Sequence, residues 1–212
     1  RYRELTREIA ERRRAEQRAQ RLAATDPLTH CLNRRSMLSA TEELRVRAAV
    51  RGEAVAYCMI DLDNFKQIND IHGHPAGDAV LVMLCDRVRA LLPREARLAR
   101  LGGDEFAFVM VFPPGNAERV DDLVIRLFEN LAQPFRLPEV TVELTLSIGL
   151  AADHDPDGTI GLVVDVGTLM QRADMALYHA KKQGRNRFFW FDPSMESELR
   201  FRNQLETGIR RG

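Results

Sequence analysis

The spacing of hydrophobic residues along the chain predicts alternating strands and helices. The run at 54–60 is apolar throughout, which is typical of a strand buried on both faces. At 106–112 bulky apolar residues occupy every second position, as expected of a second strand. Segments 79–91 and 117–132 have helical spacing instead. Their apolar stripes consist of Val80, Leu81, Leu84, Val88 and Leu91, and of Val120, Leu123, Val124, Leu127 and Leu131.

Turn residues divide the rest of the chain into shorter elements. Helices are predicted at about 33–49 and 169–183, the second ending at Gly184, a natural cap. The polar segment 64–78 contains Gly and Pro and is interpreted as a loop. Further strands are predicted at 96–101, 140–150 and 187–191. Because strands follow one another directly between helices, the pattern predicts an α+β sheet with helices largely on one face, not a Rossmann sheet.

Both ends of the chain are predicted to be helices outside the globular part. Residues 1–24 are highly charged and fit a heptad frame only in part, so a weak coiled coil and a solvated single helix both remain open. Residues 195–209, after Pro193, are predicted as a last charged helix. The predicted organisation is a linker at 1–25, one globular domain at 26–192 and a connector at 193–212.

Composition and charge argue against several classes of function. The chain has 212 residues and begins at Arg1, not Met, so we interpret it as part of a longer protein. Lys plus Arg and Asp plus Glu each number 31, which gives no electrostatic case for binding nucleic acid. No apolar run has membrane-spanning length, and no membrane contact is predicted. The spacing of Cys31, Cys58 and Cys85 indicates neither disulfides nor zinc, and we interpret them as reduced thiols of a cytoplasmic protein.

A short motif at 102–106 carries the first candidate chemistry. Gly102 and Gly103 lie between two predicted strands and indicate a tight hairpin turn that another molecule can approach closely. Asp104 and Glu105 follow, and two carboxylates at a hairpin tip suit Mg²⁺, with a phosphate against the glycine amides. A polar turn without any ligand has the same sequence features, so both interpretations stay open at this point.

A third acid is predicted to join this hairpin. Asp61 ends the first buried strand, and it meets Asp104 and Glu105 if that strand pairs beside the hairpin. Carboxylates that converge across neighbouring strands, with the Leu62 carbonyl as a further oxygen, are what a Mg²⁺ site for phosphoryl or nucleotidyl transfer requires.

Two more sets of residues suit a nucleotide. Lys181 and Arg185 are four residues apart on one predicted helix face and suit a triphosphate, as does Lys66, although a solvated cationic helix end has the same pattern. Asn69 and Asp78 flank the predicted polar loop. An Asp accepts from the N1 and amine donors of guanine, but both residues are also common in turns and caps.

In combination, these motifs resemble the GGDEF family, the bacterial diguanylate cyclases, over roughly residues 26–191. Their number and order make the resemblance specific. The matching residues are Asp26-Pro27-Leu28-Thr29 with Asn33-Arg34, Asp61-Leu62-Asp63 with Phe65-Lys66, Asn69-Asp70, Gly73-His74 with Gly77-Asp78, Gly102 to Phe106, Ser147-Ile148-Gly149, and Ala173-Asp174 through Leu177-Tyr178 to Ala180-Lys181 with Gly184-Arg185-Asn186.

The resemblance implies a palm-like sheet shared with other nucleotidyl cyclases, and condensation of two GTP into cyclic di-GMP with release of pyrophosphate. It implies that Mg²⁺, or Mn²⁺ in its place, binds Asp61, the Leu62 carbonyl, Asp104 and Glu105, and that Asp104, with Glu105, is catalytic. The residues it implies for binding GTP are Lys66, Asn69, His74, Asp78, Gly102, Gly103, Lys181 and Arg185.

The resemblance also implies partners for the chain. Each 3′-hydroxyl attacks the α-phosphate held by another domain, so a two-fold homodimer is expected, with an upstream sensory domain acting through the N-terminal helix. The segment 191–211 resembles the connector that leads to an EAL phosphodiesterase domain. An alternative is therefore a GTP-binding module that regulates an EAL domain without making product; a purely structural interaction domain does not explain the carboxylates. The intact motif favours the enzyme.

Two positions depart from the family pattern. Many cyclases have an inhibitory Arg-x-x-Asp site before the motif, where this chain has residues 93–96, Pro-Arg-Glu-Ala, so no product inhibition through that site is expected. Where many relatives have Gly-Leu after Leu28-Thr29, this chain has His30-Cys31, which places a bulkier residue in a loop near the phosphates.

Overall fold

The computed structural model describes residues 24–154 and 164–197, together with Arg7, Arg12 and Arg13. The described strands are β1 (Leu32–Asn33), β2 (Ala54–Leu62), β3 (Arg97–Gly102), β4 (Glu105–Phe112), β5 (Phe135–Arg136), β6 (Thr141–Val142), β7 (Leu146–Ala152) and β8 (Phe188–Trp190). The described helices are α1 (Arg34–Arg51), α2 (Phe65–His72), α3 (His74–Leu91), α4 (Glu118–Leu131) and α5 (Val166–Lys182).

A six-stranded sheet with the order β1-β3-β4-β2-β7-β8 forms the centre of the fold. Its four inner strands are antiparallel, and the two short edge strands pair in parallel. All nine residues of β2 are buried, as their continuous apolar run predicts. The palm-like α+β class with helices flanking the sheet is confirmed. Because β2 lies beside β4, the hairpin is next to the end of the first buried strand.

Helices cover both faces of the sheet, so the expectation of helices largely on one face is wrong. On one face α1 and α5 pack on the sheet, and Met37 belongs to the same core cluster as Tyr57. On the other face α2, α3 and α4 pack on the sheet, and Leu84 and Leu127 share a cluster with Cys58. The physical reason is the strand pattern itself, since a strand that is apolar on both faces requires cover on both.

The segment 64–78 is helical, and the predicted loop is wrong. It contains α2 and the first turn of α3, joined at Gly73, whose φ is +84°. Phe65 and Ile68 are buried while the polar residues between them face outward, so the amphipathic pattern is present but short. Pro75 lies in the first turn of α3, where a missing N–H costs no hydrogen bond.

The other elements follow the predictions with smaller differences. In α1, Asn33 is the N-cap and accepts from the Ser36 N–H at 2.9 Å, and Gly52 is the C-cap with φ +66°. The predicted strand 140–150 is divided into β6 and β7, because β6 pairs with β5 in a separate two-stranded sheet. α5 begins at Val166, after the N-cap Asp165, and not at Leu169. The buried stripe of α4 is as predicted.

Most of the two predicted terminal helices lies outside the described residues. Arg7, Arg12 and Arg13 are helical, and residues 193–197 are helical where the description ends. None of the helices in the described part of the chain combines membrane-spanning length with a sufficiently apolar sequence.

Candidate active site

The end of β2 brings Asp61 beside the hairpin. Asp61 is the register partner of Glu105 in the β2–β4 ladder, and the Leu62 N–H donates to the Asp104 carbonyl at 3.4 Å. On its other side Asp61 is the register partner of Ser147 in β7. The sequence predicts that Asp61 meets the hairpin if the first buried strand pairs beside it, and the β2–β4 ladder shows this pairing.

Asp61 is a buried acid that two neighbouring acids repel. The residue is 7% exposed, and burial raises its pKa above the ordinary value. An ion pair with Lys181, whose Nζ lies 2.7 Å from Asp61 Oδ2, opposes that rise, and the charges of Asp104 and Glu105 add to it. Asp61 therefore has one cation as a partner and two acids that repel it, which is an arrangement that a divalent ion would relieve.

The hairpin turn is exposed and held by two arginines. Gly103 and Asp104 form the turn, and Gly102 pairs with Glu105 next to a β-bulge, so the turn lies one residue later than the two glycines alone suggest. Gly103 has φ +53°, and a Cβ placed there meets nothing within 4 Å, so the space above this turn is open to a ligand. Arg100 Nε donates to the Gly103 carbonyl at 2.9 Å, and Arg34 Nη2 lies 3.5 Å from Glu105 Oε2.

A hydrogen-bond network joins this turn to the segment that precedes β1. Arg100 Nη1 lies 3.2 Å from Asp26 Oδ1, and Thr29 donates to Asp26 Oδ2 through its N–H and its Oγ1, both at 2.8 Å. Burial acts to raise the pKa of Asp26, but the Thr29 hydrogen bonds and the Arg100 charge outweigh it and lower the pKa. His30 next to this network has φ +58°, a left-handed conformation that glycine adopts more readily than other residues.

Asp63 holds the end of α5 against the end of β2. The carboxylate of this buried residue accepts from Thr145 Oγ1 at 2.7 Å, Ser147 Oγ at 2.8 Å and the Asn186 N–H at 3.1 Å. The prediction that Lys181 and Arg185 lie on one helix face is wrong, because α5 ends at Lys182 and Arg185 follows the helix with φ +59°. Lys181 reaches Asp61, whereas Arg185 is exposed.

The predicted guanine-reading residues lie on two adjoining helices. Asn69 is in α2 and the exposed Asp78 is in α3, so neither is the loop or cap residue of the alternative interpretation. The Asn69 side chain lies directly over Gly77, because a Cβ at that glycine would be 1.9 Å from Asn69 Oδ1. Asn69 therefore packs against the helix turn that carries Asp78. The exposed side chains of Lys66 and His74 lie on the same two helices.

The donors at the hairpin suit a hard cation but do not form a complete set of ligands. Among the described residues no group of three or more His, Cys, Asp or Glu side chains is arranged to hold a metal ion. Asp61, Asp104 and Glu105 nevertheless interact electrostatically, and carboxylates with a backbone carbonyl are the oxygen ligands that Mg²⁺ prefers. Mg²⁺ characteristically completes its shell with water and substrate phosphates, so the donor chemistry fits this ion.

The hairpin site is open at the end of the sheet and is not a closed pocket. A cleft of about 490 Å³ lies elsewhere, between α2, α4 and residues 141–146, and contains none of Asp61, Asp104 and Glu105. We place the candidate site at the hairpin because the crowded acids are there. Sequence reasoning assigned no role to three supporting residues, Arg34, Asp63 and Arg100. The available signal was their position, since Arg34 and Asp63 belong to recognised motifs and Arg100 lies two residues before Gly102.

A family comparison agrees with this site. The sequence profile described as "Diguanylate cyclase, GGDEF domain" matches residues 23–187, which include every candidate residue discussed above.

Two similar proteins are several times longer than this chain. An uncharacterized signaling protein of Caulobacter vibrioides is 37% identical over 97% of this chain and 25% of its own length. The bifunctional diguanylate cyclase/cyclic di-GMP phosphodiesterase MucR of Pseudomonas aeruginosa is 34% identical over 93% of this chain and 28% of its own length. The chain thus spans about a quarter of these curated relatives.

A solved structure has the same fold. The coiled coil and GGDEF domain of DgcB from Caulobacter crescentus, in complex with c-di-GMP, superposes with a TM-score of 0.77 at 27% identity. The match covers 88% of this chain and 95% of that one.

Proposed function

The chain belongs to the diguanylate cyclase GGDEF domain family, and from that membership we propose that it condenses two GTP molecules into cyclic di-GMP and releases two pyrophosphates. The observation that carries the proposal is the buried Asp61, paired with Lys181, beside an intact Gly102–Glu105 turn whose two acids repel it. Burial raises the pKa of Asp61, and the neighbouring acids add to that rise and favour a cation, which is how a nucleotidyl transfer site differs from an ordinary polar turn.

The base of GTP is proposed to bind between α2 and α3. Asp78 accepts from the N1 and exocyclic amine donors of guanine, and Asn69 supplies a second polar contact to the same edge. Adenine has an acceptor where guanine has N1–H, so Asp78 discriminates against it. Gly77 supports this role because it leaves room for the Asn69 amide. His74 lies on the same surface, at the start of α3.

The phosphates are proposed to lie over the hairpin turn. The open space above Gly102 and Gly103 admits them to the backbone. Lys66, Lys181 and Arg185 supply positive charge, and Lys181 neutralises Asp61 when no nucleotide is bound. Asp61, the Leu62 carbonyl, Asp104 and Glu105 would hold Mg²⁺, or Mn²⁺. Such an ion offsets charge on the phosphate oxygens and the leaving group.

Asp104 is proposed to accept the proton of the attacking 3′-hydroxyl, with Glu105 beside it. Its backbone is fixed by the Leu62 N–H and by Arg100, which binds the neighbouring Gly103 carbonyl. The reaction needs two domains facing each other around a two-fold axis, since each 3′-hydroxyl attacks the nucleotide held by the other. Rate enhancement then comes from positioning and electrostatics.

A turnover assay tests the proposal. The chain is incubated with GTP and Mg²⁺ at several protein concentrations, and products are separated by chromatography. Cyclic di-GMP and pyrophosphate are expected, with specific activity rising as dimers form, and Asp104→Ala should make neither. GTP binding without product at the highest concentration would instead favour a regulatory module. Product inhibition that disappears in Arg94→Ala would contradict the expected absence of an inhibitory site at 93–96.

A further inference from the structure

Two of the cysteines form a buried pair beside the active-site network. Cys31 is 5% exposed and follows the turn that begins at Asp26, and Cys85 is fully buried on the inner face of α3. Both thiols contact Thr29, Cys31 through the threonine Oγ1 and Cys85 by donating to the threonine carbonyl at 3.7 Å. Both thiols are free in the structure. Two cysteines from distant parts of the sequence therefore lie against the same residue.

The surroundings of the pair favour a thiolate on Cys31. Arg89 Nη2 lies 3.3 Å from Cys85 Sγ, and Thr29 Oγ1 lies 2.9 Å from Cys31 Sγ. Cys85 is the largest influence and lowers the pKa of Cys31 to about 7, with help from Thr29 and Arg89 and against burial and the charge of Asp26. Cys31, together with burial, in turn raises the pKa of Cys85, which retains the proton.

We propose that Cys31 and Cys85 are a peroxide-reactive thiol pair that closes to an intramolecular disulfide. The Cys31 sulfur attacks one oxygen of hydrogen peroxide, the O–O bond breaks, and the departing hydroxide takes a proton to give water and a sulfenic acid on Cys31. The Cys85 sulfur then attacks the sulfenic sulfur. An S–S bond forms, the S–O bond breaks, and the Cys85 proton leaves with the hydroxide as a second water. Two thiols are oxidised and one peroxide is reduced.

Burial limits which oxidants and which cysteines take part. The small exposed fraction of Cys31 admits peroxide but not a bulky disulfide such as oxidised glutathione, so the partner of Cys31 is Cys85. Cys58 is the internal control. It is fully buried in β2, and burial, with the charge of Asp121, raises its pKa well above the ordinary value. A thiol of this kind stays protonated and unreactive.

The pair has a short route to the hairpin. Thr29 Oγ1 contacts Cys31 and also donates to Asp26, which pairs with Arg100, and Arg100 holds the Gly103 carbonyl. Converting Cys31 to a disulfide removes the thiolate that Thr29 contacts. We therefore expect oxidation to change the protection of the amides around the hairpin turn.

Thiol counting and peptide mapping test the proposal without reference to catalysis. The protein is treated with hydrogen peroxide, unfolded, alkylated and digested with trypsin, which separates the cysteines into peptides 22–34, 52–66 and 67–87. Free thiols are expected to fall from three to one, with peptides 22–34 and 67–87 linked and 52–66 alkylated. Hydrogen exchange at 102–105 should differ between the reduced and oxidised protein, and reductant should reverse both changes.

Variants separate the pair from general oxidation. Cys58→Ser should form the same linked peptides as the wild type, and Cys85→Ser should leave a sulfenic acid on Cys31 that a dimedone probe traps. Three free thiols after peroxide treatment, or a disulfide that includes Cys58, would overturn the proposal. Exchange at 102–105 that is identical in the reduced and fully oxidised protein would overturn the route to the hairpin. The thiol count of the wild-type protein tests the disulfide even if a variant folds poorly.

Discussion

The two ends of the strand pair β2–β7 each hold a buried carboxylate, and the two are used differently. Near the start of β2, Asp153 is 4% exposed and its Oδ1 accepts from the Val55 N–H at 2.8 Å, while Arg45 Nε lies 3.6 Å from its Oδ2. At the other end of β2, Asp61 has Lys181 as its ion-pair partner, and Asp104 and Glu105 repel it. Asp153 has a backbone donor and a cation as neighbours, whereas Asp61 has a cation and two repelling acids.

The difference separates an acid that holds the fold from an acid that is available for chemistry. A buried carboxylate with enough donors stabilises the folded protein, and removing it leaves those donors unsatisfied. A buried carboxylate among other acids costs folding free energy, which is expected where a site is arranged for a bound cation. The same contrast exists over a shorter distance between Asp61 and Asp63, since Asp63 has three donors.

The largest expected effect is on turnover. Asp61→Asn keeps the shape of the side chain but removes its charge, so we expect formation of cyclic di-GMP to fall by about 1,000-fold, the upper range for loss of one electrostatic contact in an active site. The protein should remain folded, because one repulsive charge has been removed. Product formation and a thermal melt on the same samples measure both quantities.

Asp153→Asn is the matched control from the opposite end. It should lower the free energy of unfolding by about 2 kcal/mol because Arg45 loses its buried partner, while the turnover of the folded protein stays near that of the wild type. Equal loss of turnover in the two variants would mean that Asp61 acts through the fold and not through the chemistry.

The next effect concerns Asp63 and the end of α5. Asp63→Ala leaves two hydroxyls and the Asn186 N–H without their acceptor, and we expect a loss of about 3 kcal/mol in the free energy of unfolding. Urea denaturation measures this change. Asp63→Asn retains an acceptor oxygen and should cost clearly less. A loss as small for Ala as for Asn would show that the three hydrogen bonds contribute little.

The sequence predicts those parts of the site that depend on local pattern. The hairpin follows from Gly102 and Gly103 between two strand-like runs, and the buried β2 follows from its apolar residues. The meeting of Asp61 with the hairpin could be stated only conditionally, because strand order is a long-range property that no local pattern contains. The structure supplies β4 as the neighbour of β2.

Other features were not predictable from local pattern for identifiable reasons. α2 is eight residues long and buries only Phe65 and Ile68, so its helical signal is too short to outweigh nearby Gly and Pro. The role of Asp63 depends on Thr145, Ser147 and Asn186, which are 82 to 123 residues away in the chain. Whether an acid has enough donors is decided by such distant contacts, and the sequence alone does not show it.

A smaller effect is expected at the two helices proposed to bind guanine, which lack a buried acid. Gly77→Ala places a Cβ where the Asn69 amide lies, so GTP affinity should fall about tenfold as Asn69 is displaced from its proposed contact with the base. Binding is measured calorimetrically with GTP. In an Asn69→Ala background the 1.9 Å contact with Oδ1 is absent and only Phe65 Cζ, 3.1 Å from the added Cβ, has to shift, so the same change should leave GTP affinity nearly unaltered. Equal losses of GTP affinity in the two backgrounds would contradict this account.

The smallest expected effect is a change of stability with pH, measured with a chelator present so that no divalent ion contributes. Burial and the neighbouring acids raise the pKa of Asp61 in the folded state above its ordinary value of 3.8. The folded protein therefore binds this proton more tightly than the unfolded chain does. Relative to Asp61→Asn, the wild type should be most stable below pH 3.8 and should lose stability as the pH rises through the raised pKa. Urea denaturation of both proteins at matched pH values gives the difference. If the wild type instead gained stability over Asp61→Asn as the pH rose, Lys181 would more than compensate Asp61, and the contrast with Asp153 would be lost.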